Sequence, residues 1–382
     1  MTFTTSTDSD KFVNVGVDLA KKVFQVAYKD PVTGKFINKQ LKRNDFQGFI
    51  EEPKGFRKHI FMEACGSSYF WCRKALEFGH LADIIPATAT RTFVLNNKSD
   101  VTDAKAIWQL SFVPDVKKVR VRSEENQVLG IILKIREKLI AERTKLCNWM
   151  RGQFYELGFI ASLGTQKVDT LLEEVKDKIK DKEWSDEFTA VCDIFKSTKE
   201  SIENNIKTIE NYITTISEKK EICQKLMTIP YVGPINAVAI AYVMEEPKFY
   251  KNGRQFAAYA GFAPKHTGTG GETKILGVKD QGNSILKRTL FQAALSMYSH
   301  YKSALAHHSL NKNGELDLPK VVAKAKTQWF QRLSLEFSSR EAACAIANKM
   351  ARTAWAVVND NKGFNKKLST LFISSLLNES LD

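Results

Sequence analysis

The sequence predicts an α/β N-terminal part followed by a mainly helical remainder, and three observations carry that expectation. Short apolar runs alternate with stretches of helical spacing through the first hundred residues. Further on, Ile202, Ile206, Ile209, Ile213 and Ile216 recur by four and three, the spacing that keeps an apolar seam against a partner helix. A Gly233-Pro234 turn then divides two apolar helical stretches in "LMTIPYVGPINAVAIAYVM".

Taken in order, "FVNVGVDLA" (12–20) is a short apolar strand ending in an acid, and "VFQVAYKD" (23–30) is a second, bounded by the turn-like "DPVTGK". "KFINKQLK" alternates and makes a third. "NDFQGFIEE" offers Asn44 as an N-cap, then Phe46, Phe49 and Ile50 at helical spacing. "KHIFMEA" (58–64) is a fourth strand ending near Glu63, "SSYFWCRKALEFG" a helix closed by Gly79, and "LADIIPA" a fifth strand. Three hairpin-like strands followed by alternating helix and strand is the order of a ribonuclease H-like domain, although other α/β folds share that periodicity. Beyond about 125, Ile132, Ile135, Leu139, Leu146 and Trp149 fit a seam that Glu142 interrupts. With the isoleucines at 202–216 they predict two long helices, antiparallel within the chain, paired between chains, or part of an ordinary bundle. The charged "EEVKDKIKDKEWSDE" between them reads as a solvated linker or hairpin tip. The Gly233-Pro234 region reads equally as a helix-hairpin-helix, whose tight turn would let backbone N–H groups approach a phosphate, and as a plain αα-hairpin. A glycine-rich, basic segment with helical flanks follows. "SREAACAIANKMARTAWAVVND" closes the readable part as a helix with a Ser/Glu capping pattern and an Ala-rich buried face.

Composition narrows the function. The 382 residues are enough for two or three domains, and 57 Lys+Arg against 43 Asp+Glu leave a net charge of +14. That surplus favours a polyanionic partner, because each phosphate neutralised releases a condensed counterion; a generically basic protein is the plainer alternative. No apolar run approaches the roughly 20 residues that span a bilayer, and the polar start lacks the charged and apolar regions of a signal peptide. Six scattered cysteines without C-x-x-C spacing read as reduced core residues, and the six histidines form no metal pattern. A cytoplasmic protein without a membrane partner is expected.

The candidate chemistry rests on acids. Asp18 lies in the first predicted strand, Glu63 at the end of the fourth, and Asp100 and Asp103 at a helix start, three apart on one helix face. Alone, D-x-x-D is a weak signal that any solvated helix end can produce. In a ribonuclease H-like sheet, however, those strand ends lie side by side, and four converging carboxylates would bind a hard divalent cation through oxygen, Mg²⁺ or Mn²⁺. Such ions clamp the attacking and leaving oxygens of a phosphoryl transfer.

The segments "VGVDLAKKVFQV", "MEACGSSYFW", "NNKSDVTDAKAI", "TIPYVGPINAVAI", "FAAYAGFAPKHTGTGGETKILGVKDQGNSILKR" and "IANKMARTAWAV" occur in the order seen in one family. From about residue 12 to 360 the chain resembles the DEDD-type insertion-sequence transposases that act with a bridge RNA, relatives of the Piv pilin-gene invertase. The resemblance implies a RuvC-like domain over 1–124, a helical coiled-coil section over 125–222 and a C-terminal transposase domain over 223–382. It carries the D-E-D-D set onto Asp18, Glu63, Asp100 and Asp103, and implies a serine nucleophile that joins DNA covalently during strand exchange. At that place the sequence departs from the pattern: where the family has Ser-Ser-Gly-Gly it reads "GTGG", so Thr269 takes the serine's position, with Thr267 and Ser284 as further hydroxyls nearby. The threonine methyl crowds attack on phosphorus, which leaves two readings, a working nucleophile or a protein that binds and synapses DNA but cuts it poorly. Lys98, Lys105, the Gly233 turn, Arg254, Lys265, Lys274, Lys279, Lys287 and Arg288 are candidates for nucleic-acid backbone contact. The implied partners are donor and target DNA, a guide RNA and further copies of the chain, as a tetramer built by the coiled coils. A RuvC-like nuclease using water, and a catalytically weakened nucleic-acid-binding relative, are the alternatives.

Overall fold

The structure is a computed structural model describing residues 12–51, 56–93, 99–160, 162, 164–269, 272–278, 282–306, 333–360 and 363, with the backbone alone at 265–266, 269, 272–275 and 304–306. The chain divides into two compact units, Met1–Glu124 and Glu125–Asp382.

The first unit is built on a five-stranded sheet of order β3-β2-β1-β4-β5, from β1 (Val13–Leu19), β2 (Val23–Lys29), β3 (Phe36–Lys42), β4 (Lys58–Glu63) and β5 (Leu81–Ile85). The first three strands pair antiparallel, and β4 and β5 run parallel to β1. Strands β1, β2 and β4 carry inward apolar residues on alternate positions, and both faces are covered. On one face α1 (Arg43–Glu51) and α2 (Ser68–Glu77) bury Phe46, Ile50, Trp71 and Cys72 against Val15, Val17, Phe24, Val26, Ile60 and Met62. Phe24, Phe46 and Trp71 meet edge-to-face with centroids 4.9, 5.2 and 5.1 Å apart, a geometry worth about 1 kcal/mol per pair beyond burial. Helix α2 ends where Gly79 turns to φ +77, as the sequence implies. The opposite face holds Phe61 and Ile85 against Ile107 and Leu110 of α4 (Asp100–Leu110), which follows α3 (Ala87–Phe93).

Helix α4 lies on β1 because Gly16 lets it. A Cβ at Gly16 would stand 2.4 Å from the Trp108 amide nitrogen and 2.5 Å from the Ala104 carbonyl oxygen, both rigid backbone atoms. Any side chain there would lift the helix from the sheet.

In the second unit, α5 (Glu124–Glu156) and α7 (Ser185–Lys219) pair antiparallel within the chain. Lys220 reaches Glu125, Arg136 reaches Glu210 and Arg143 reaches Glu203, so positions rise on one helix as they fall on the other. The isoleucine seam of α7 is found at Ile206 and Ile213, both buried. The expected α5 seam is displaced: Ile135 and Trp149 are exposed, while Leu129, Leu133, Cys147, Met150 and Phe154 are buried. Helix α5 has two apolar stripes, and the one facing α7 is interrupted by Arg136 and Arg143, so a hydrophobic count selects the other. The charged stretch after it is likewise no linker. Helix α6 (Lys167–Ile179) runs into it and buries Val168, Leu171, Leu172, Val175 and Ile179 against the distal ends of α5 and α7, an apolar stripe at helical spacing among lysines and acids.

The proximal ends, Leu129, Leu133 and Ile213, join a larger core with α8 (Glu221–Met227), α9 (Pro234–Val243), α10 (Gly253–Tyr259), α11 (Ser284–Ala306) and α12 (Ser339–Asn359). Residues 125–222 and 223–360 therefore share one core at this end. Helix α12 opens on the Ser338/Glu341 capping box and buries Ala342, Ala343, Ala347, Ala351 and Ala354. The six cysteines are free; Cys72 and Cys223 are buried, which pushes their thiols up to about 12 and about 11, whereas Cys65 is exposed rather than in the core.

Substituting Gly16→Ala should destabilise the first unit by about 2 kcal/mol, the cost of forced overpacking, because only backbone atoms could give way. Chemical denaturation of the full chain checks this, and an unchanged midpoint would mean that α4 has freedom to shift.

Candidate functional site: an acidic face and a hydroxyl hairpin

Asp18 is the penultimate residue of β1 and Glu63 the last of β4, on neighbouring parallel strands whose pairing runs through Val17 and Met62. Strand alternation puts Asp18 on the face of Gly16 and Glu63 on the face of Phe61, which is the face that α4 covers. Asp103 stands one turn before Ile107, the residue that packs on Phe61, so it shares this layer. It is 7% exposed, and among the described residues no cation pairs with it. Asp100 is exposed at the first position of the helix.

The start of α4 is fixed by a capping box. Ser99 Oγ accepts from the Thr102 amide at 3.3 Å, and Thr102 Oγ1 accepts from the Ser99 amide at 3.0 Å. Both acids thus occupy the first turn, where the helix dipole favours negative charge. Two residues that sequence reasoning missed tie this turn to the sheet. Gln25, opposite Asp18 in the β1–β2 register and buried, donates from Nε2 to Asn38 Oδ1 at 2.6 Å. Asn38 donates from Nδ2 to the Val101 carbonyl at 3.0 Å. The only sequence signal for them is a pair of amides at inward positions of strands that are otherwise apolar or solvated.

Among the described residues no three His, Cys, Asp or Glu side chains stand together as a metal cage. Like charges repel, and carboxylates splay unless a cation stands between them. The donor set, oxygen only and partly buried on one face, nevertheless suits a hard divalent cation.

The glycine-rich segment is a β-hairpin rather than a loose turn. Strand β6 (Pro264–Thr269) pairs antiparallel with β7 (Glu272–Val278), and Thr269, the last residue of β6, stands opposite Glu272 in register. The hairpin's two ends are pinned together: Gly282, at φ +119, lies so close to Gly261 that a Cβ would fall 2.6 Å from its backbone, and the Asn283 amide donates to the Tyr259 carbonyl at 3.1 Å. Asn283 Oδ1 then accepts from the Leu286 amide and starts α11 at the exposed Ser284. Thr267 is exposed on β6.

The basic candidates are dispersed. Lys105 is exposed on α4, Arg254 exposed on α10, and Lys265 and Lys274 belong to the two hairpin strands. Lys287 and Arg288 lie in the first turns of α11, where Arg288 forms an ion pair with Glu137. Lys98 and Lys279 lie outside the described residues. Gly233 caps α9 with ordinary extended backbone, and the positive φ of this turn falls on Tyr231, at +63, whose hydroxyl is 3.1 Å from His300 Nδ1.

The model of the transposase IS116/IS110/IS902 family matches residues 223–309, the stretch from α8 through the hairpin and α11. A putative transposase of Sinorhizobium fredii is 26% identical over 94% of this chain and 87% of its own length. A probable family 20 transposase of Pseudomonas aeruginosa is 29% identical over 90% and 96%, and the transposase for insertion sequence element IS1328 of Yersinia enterocolitica 27% over 92% and 98%. These likenesses support a relation to the IS110-type transposases. Members of this family are enzymes that cleave DNA and transfer its strands. The hydroxyl hairpin lies inside the stretch that the family model matches, and the acids lie before it. No helix among the described residues is long and apolar enough to cross a membrane.

Replacing Asp103 by Asn should raise the melting temperature of the metal-free chain by a few degrees. A buried carboxylate without a cation costs more than the roughly 1 kcal/mol that the helix dipole returns. Asp100→Asn, at an exposed position, should change it little. Calorimetry in chelator is the measurement, and a lower melting temperature for Asp103→Asn would show that its charge supports the fold.

Proposed function

We propose that this chain is a DNA transposase, a site-specific recombinase in which Asp18, Glu63, Asp100 and Asp103 hold Mg²⁺ or Mn²⁺ on a RuvC-like sheet and the Thr269 hydroxyl attacks DNA. The observation that carries the reading is the acidic layer itself: Asp103, buried without a cation partner, on the α4 face that Asp18 and Glu63 share. The strand order 3-2-1-4-5, with three antiparallel strands and two parallel ones, supports the ribonuclease H-like assignment. On this reading the RuvC-like domain ends at 124, residues 125–222 form the coiled-coil section and 223–382 the transposase domain.

A divalent cation at the acids would neutralise charge on the scissile phosphate and on the departing oxygen. The Thr269 Oγ1 forms a bond to phosphorus as the bond to the leaving sugar oxygen breaks in line, and the threonine's hydroxyl proton ends, by way of solvent, on that departing oxygen. The product is a threonine–DNA phosphodiester, which a DNA hydroxyl reopens in the second half of exchange. Placement at the end of β6, beside two glycines, allows a phosphate to approach the backbone closely. The net charge of +14 and the lysines of the hairpin suit donor and target DNA and a guide RNA. Assembly into a homo-oligomer, a tetramer in the family pattern, is supported by the apolar stripe that α5 leaves exposed at Val128, Ile131, Ile135 and Trp149.

If the acids hold metal, Mg²⁺ at about 100 times its Kd stabilises the wild-type chain by about 2.7 kcal/mol. Asp18→Ala and Asp103→Ala should both lose that response and strand cleavage. Mutants that cleave like wild type would remove the metal site from the mechanism.

With the second half of exchange blocked, DNA should remain attached to Thr269. Thr269→Ala should then yield no covalent species, whereas Thr269→Ser should match or exceed wild type because the crowding methyl is gone. Mass spectrometry of the trapped adduct locates the linkage. An adduct on Thr267 or Ser284 moves the assignment, and cleavage without any adduct points to water as the attacking group.

A further inference from the structure

Three aromatic rings stand in contact on the surface of the first unit, outside its buried clusters. Phe36 opens β3, Trp108 lies in the last turn of α4, and Phe112 follows that helix. Ring centroids are 4.9 Å apart for Phe36 and Trp108, and 5.1 Å apart for Trp108 and Phe112. Phe36 is 43% and Phe112 61% exposed, and Trp108 is half-buried. Strand alternation places Phe36 on the α4 face, two residues before Asn38, and its cross-strand neighbour on that face is Lys29. Lys35 precedes Phe36 in the chain, and Lys105 stands one turn before Trp108 on the helix. All three lysines are exposed, and none forms an ion pair with a described residue.

A single exposed ring is ordinary, but a contiguous cluster of three marks a contact surface. The lysines decide its partner. Lysine is depleted from protein–protein interfaces, whereas rings set among cations are the make-up of surfaces that bind single-stranded nucleic acid. On such surfaces bases stack on the rings while the cations meet phosphates. A duplex hides its base faces except at its ends, so the occupant that fits is an unpaired base. Position names the strand. Trp108 lies five residues beyond Asp103 on α4, about 7.5 Å of helix rise, or roughly two steps of a stacked strand. We propose that Phe36, Trp108 and Phe112 form a stacking platform for an unpaired base of the DNA strand being cut, about two nucleotides from the phosphate at the acids, with Lys29, Lys35 and Lys105 on the flanking phosphates. The proposal rests on the reading of the acids as the cleavage site and adds that the strand is locally unpaired when it binds. Stacking uses the π-face that every base has, so the platform holds a base without selecting one.

The test uses the full chain in chelator, so that binding is measured without cleavage. The probes are single-stranded oligothymidine, an abasic strand of the same length and a blunt duplex. Phe112→Leu keeps apolar area and removes the π-face at an exposed position, and a thermal melt reports its fold. It should weaken oligothymidine binding roughly tenfold, the scale of one lost base–aromatic stack, and leave the abasic strand and the duplex unchanged. Phe112→Tyr should bind like wild type. Lys105→Gln should instead weaken oligothymidine and the abasic strand alike, and lower the salt slope by about 0.7, the share of one single-strand phosphate. A strand carrying 5-iodouracil should photo-crosslink to Phe36, Trp108 or Phe112, as mapped by mass spectrometry. Equal oligothymidine affinity for wild type and Phe112→Leu, or crosslinks that all fall elsewhere, overturns the platform and leaves the acids their role. A loss on Phe112→Leu that the abasic strand shares overturns stacking as its basis. An altered oligomeric state with unaltered binding makes the patch a subunit interface and overturns the proposal. Ring-dependent binding of oligouridine RNA without that of oligothymidine overturns its DNA form. A wild-type chain that binds no DNA at all sinks the recombinase reading, and the platform with it.

Discussion

The close approach of α4 to β1 at Gly16 is the constraint on which the acidic layer depends. Helix and strand backbones are in direct contact there, with no room for one methyl group between them. Because the strand alternates and the helix repeats every 3.6 residues, that single contact decides what lies above it. Asp18 follows two residues along the same face, and Asp103 precedes Ala104, whose carbonyl touches Gly16. The capping box at Ser99 and the Gln25–Asn38–Val101 chain fix the helix's rotation and its start, so the acids owe their shared face to neutral groups around them. The arrangement places Asp18, Glu63 and Asp103 in one layer on the face of the sheet that α4 covers.

Much of the first unit could be read in advance, since all five strands there carry apolar residues or alternation between turn residues, and each appears within a residue or two of the expected bounds. The positions of the acids, at two strand ends and a helix start, were legible for the same reason. Gly16 was not, because a glycine in an apolar strand looks like any small residue until the helix above it is known. Gln25 and Asn38 were hidden in the same way, as polar residues whose partners are far apart in sequence. In the second unit, the hairpin of 264–278 escaped because glycine and lysine carry weak strand propensity, and the Gly261–Gly282 approach at its base joins positions 21 residues apart.

The displaced α5 seam shows where hydrophobic counting fails and what takes its place. Positions 136 and 143 face α7 and are arginines, one heptad apart; their partners Glu210 and Glu203 are also one heptad apart. Sliding the helices by seven residues in one direction would set Arg136 against Glu203 and Arg143 against Lys196. Sliding the other way would set Arg143 against Glu210 and Arg136 against Ser217. Either slip keeps one pair and orphans a half-buried guanidinium, whereas the apolar seam of α7, regular at four and three, would tolerate both. Polar residues in the seam thus sacrifice burial and specify register. Lys199, 4% exposed and held by Asp169 and Glu203, extends the same logic to α6, since only one register brings all three together. Register in turn sets where Glu137, adjacent to Arg136, meets α9 and α11, so the charge pattern of the paired helices also determines the geometry of a cavity at their base.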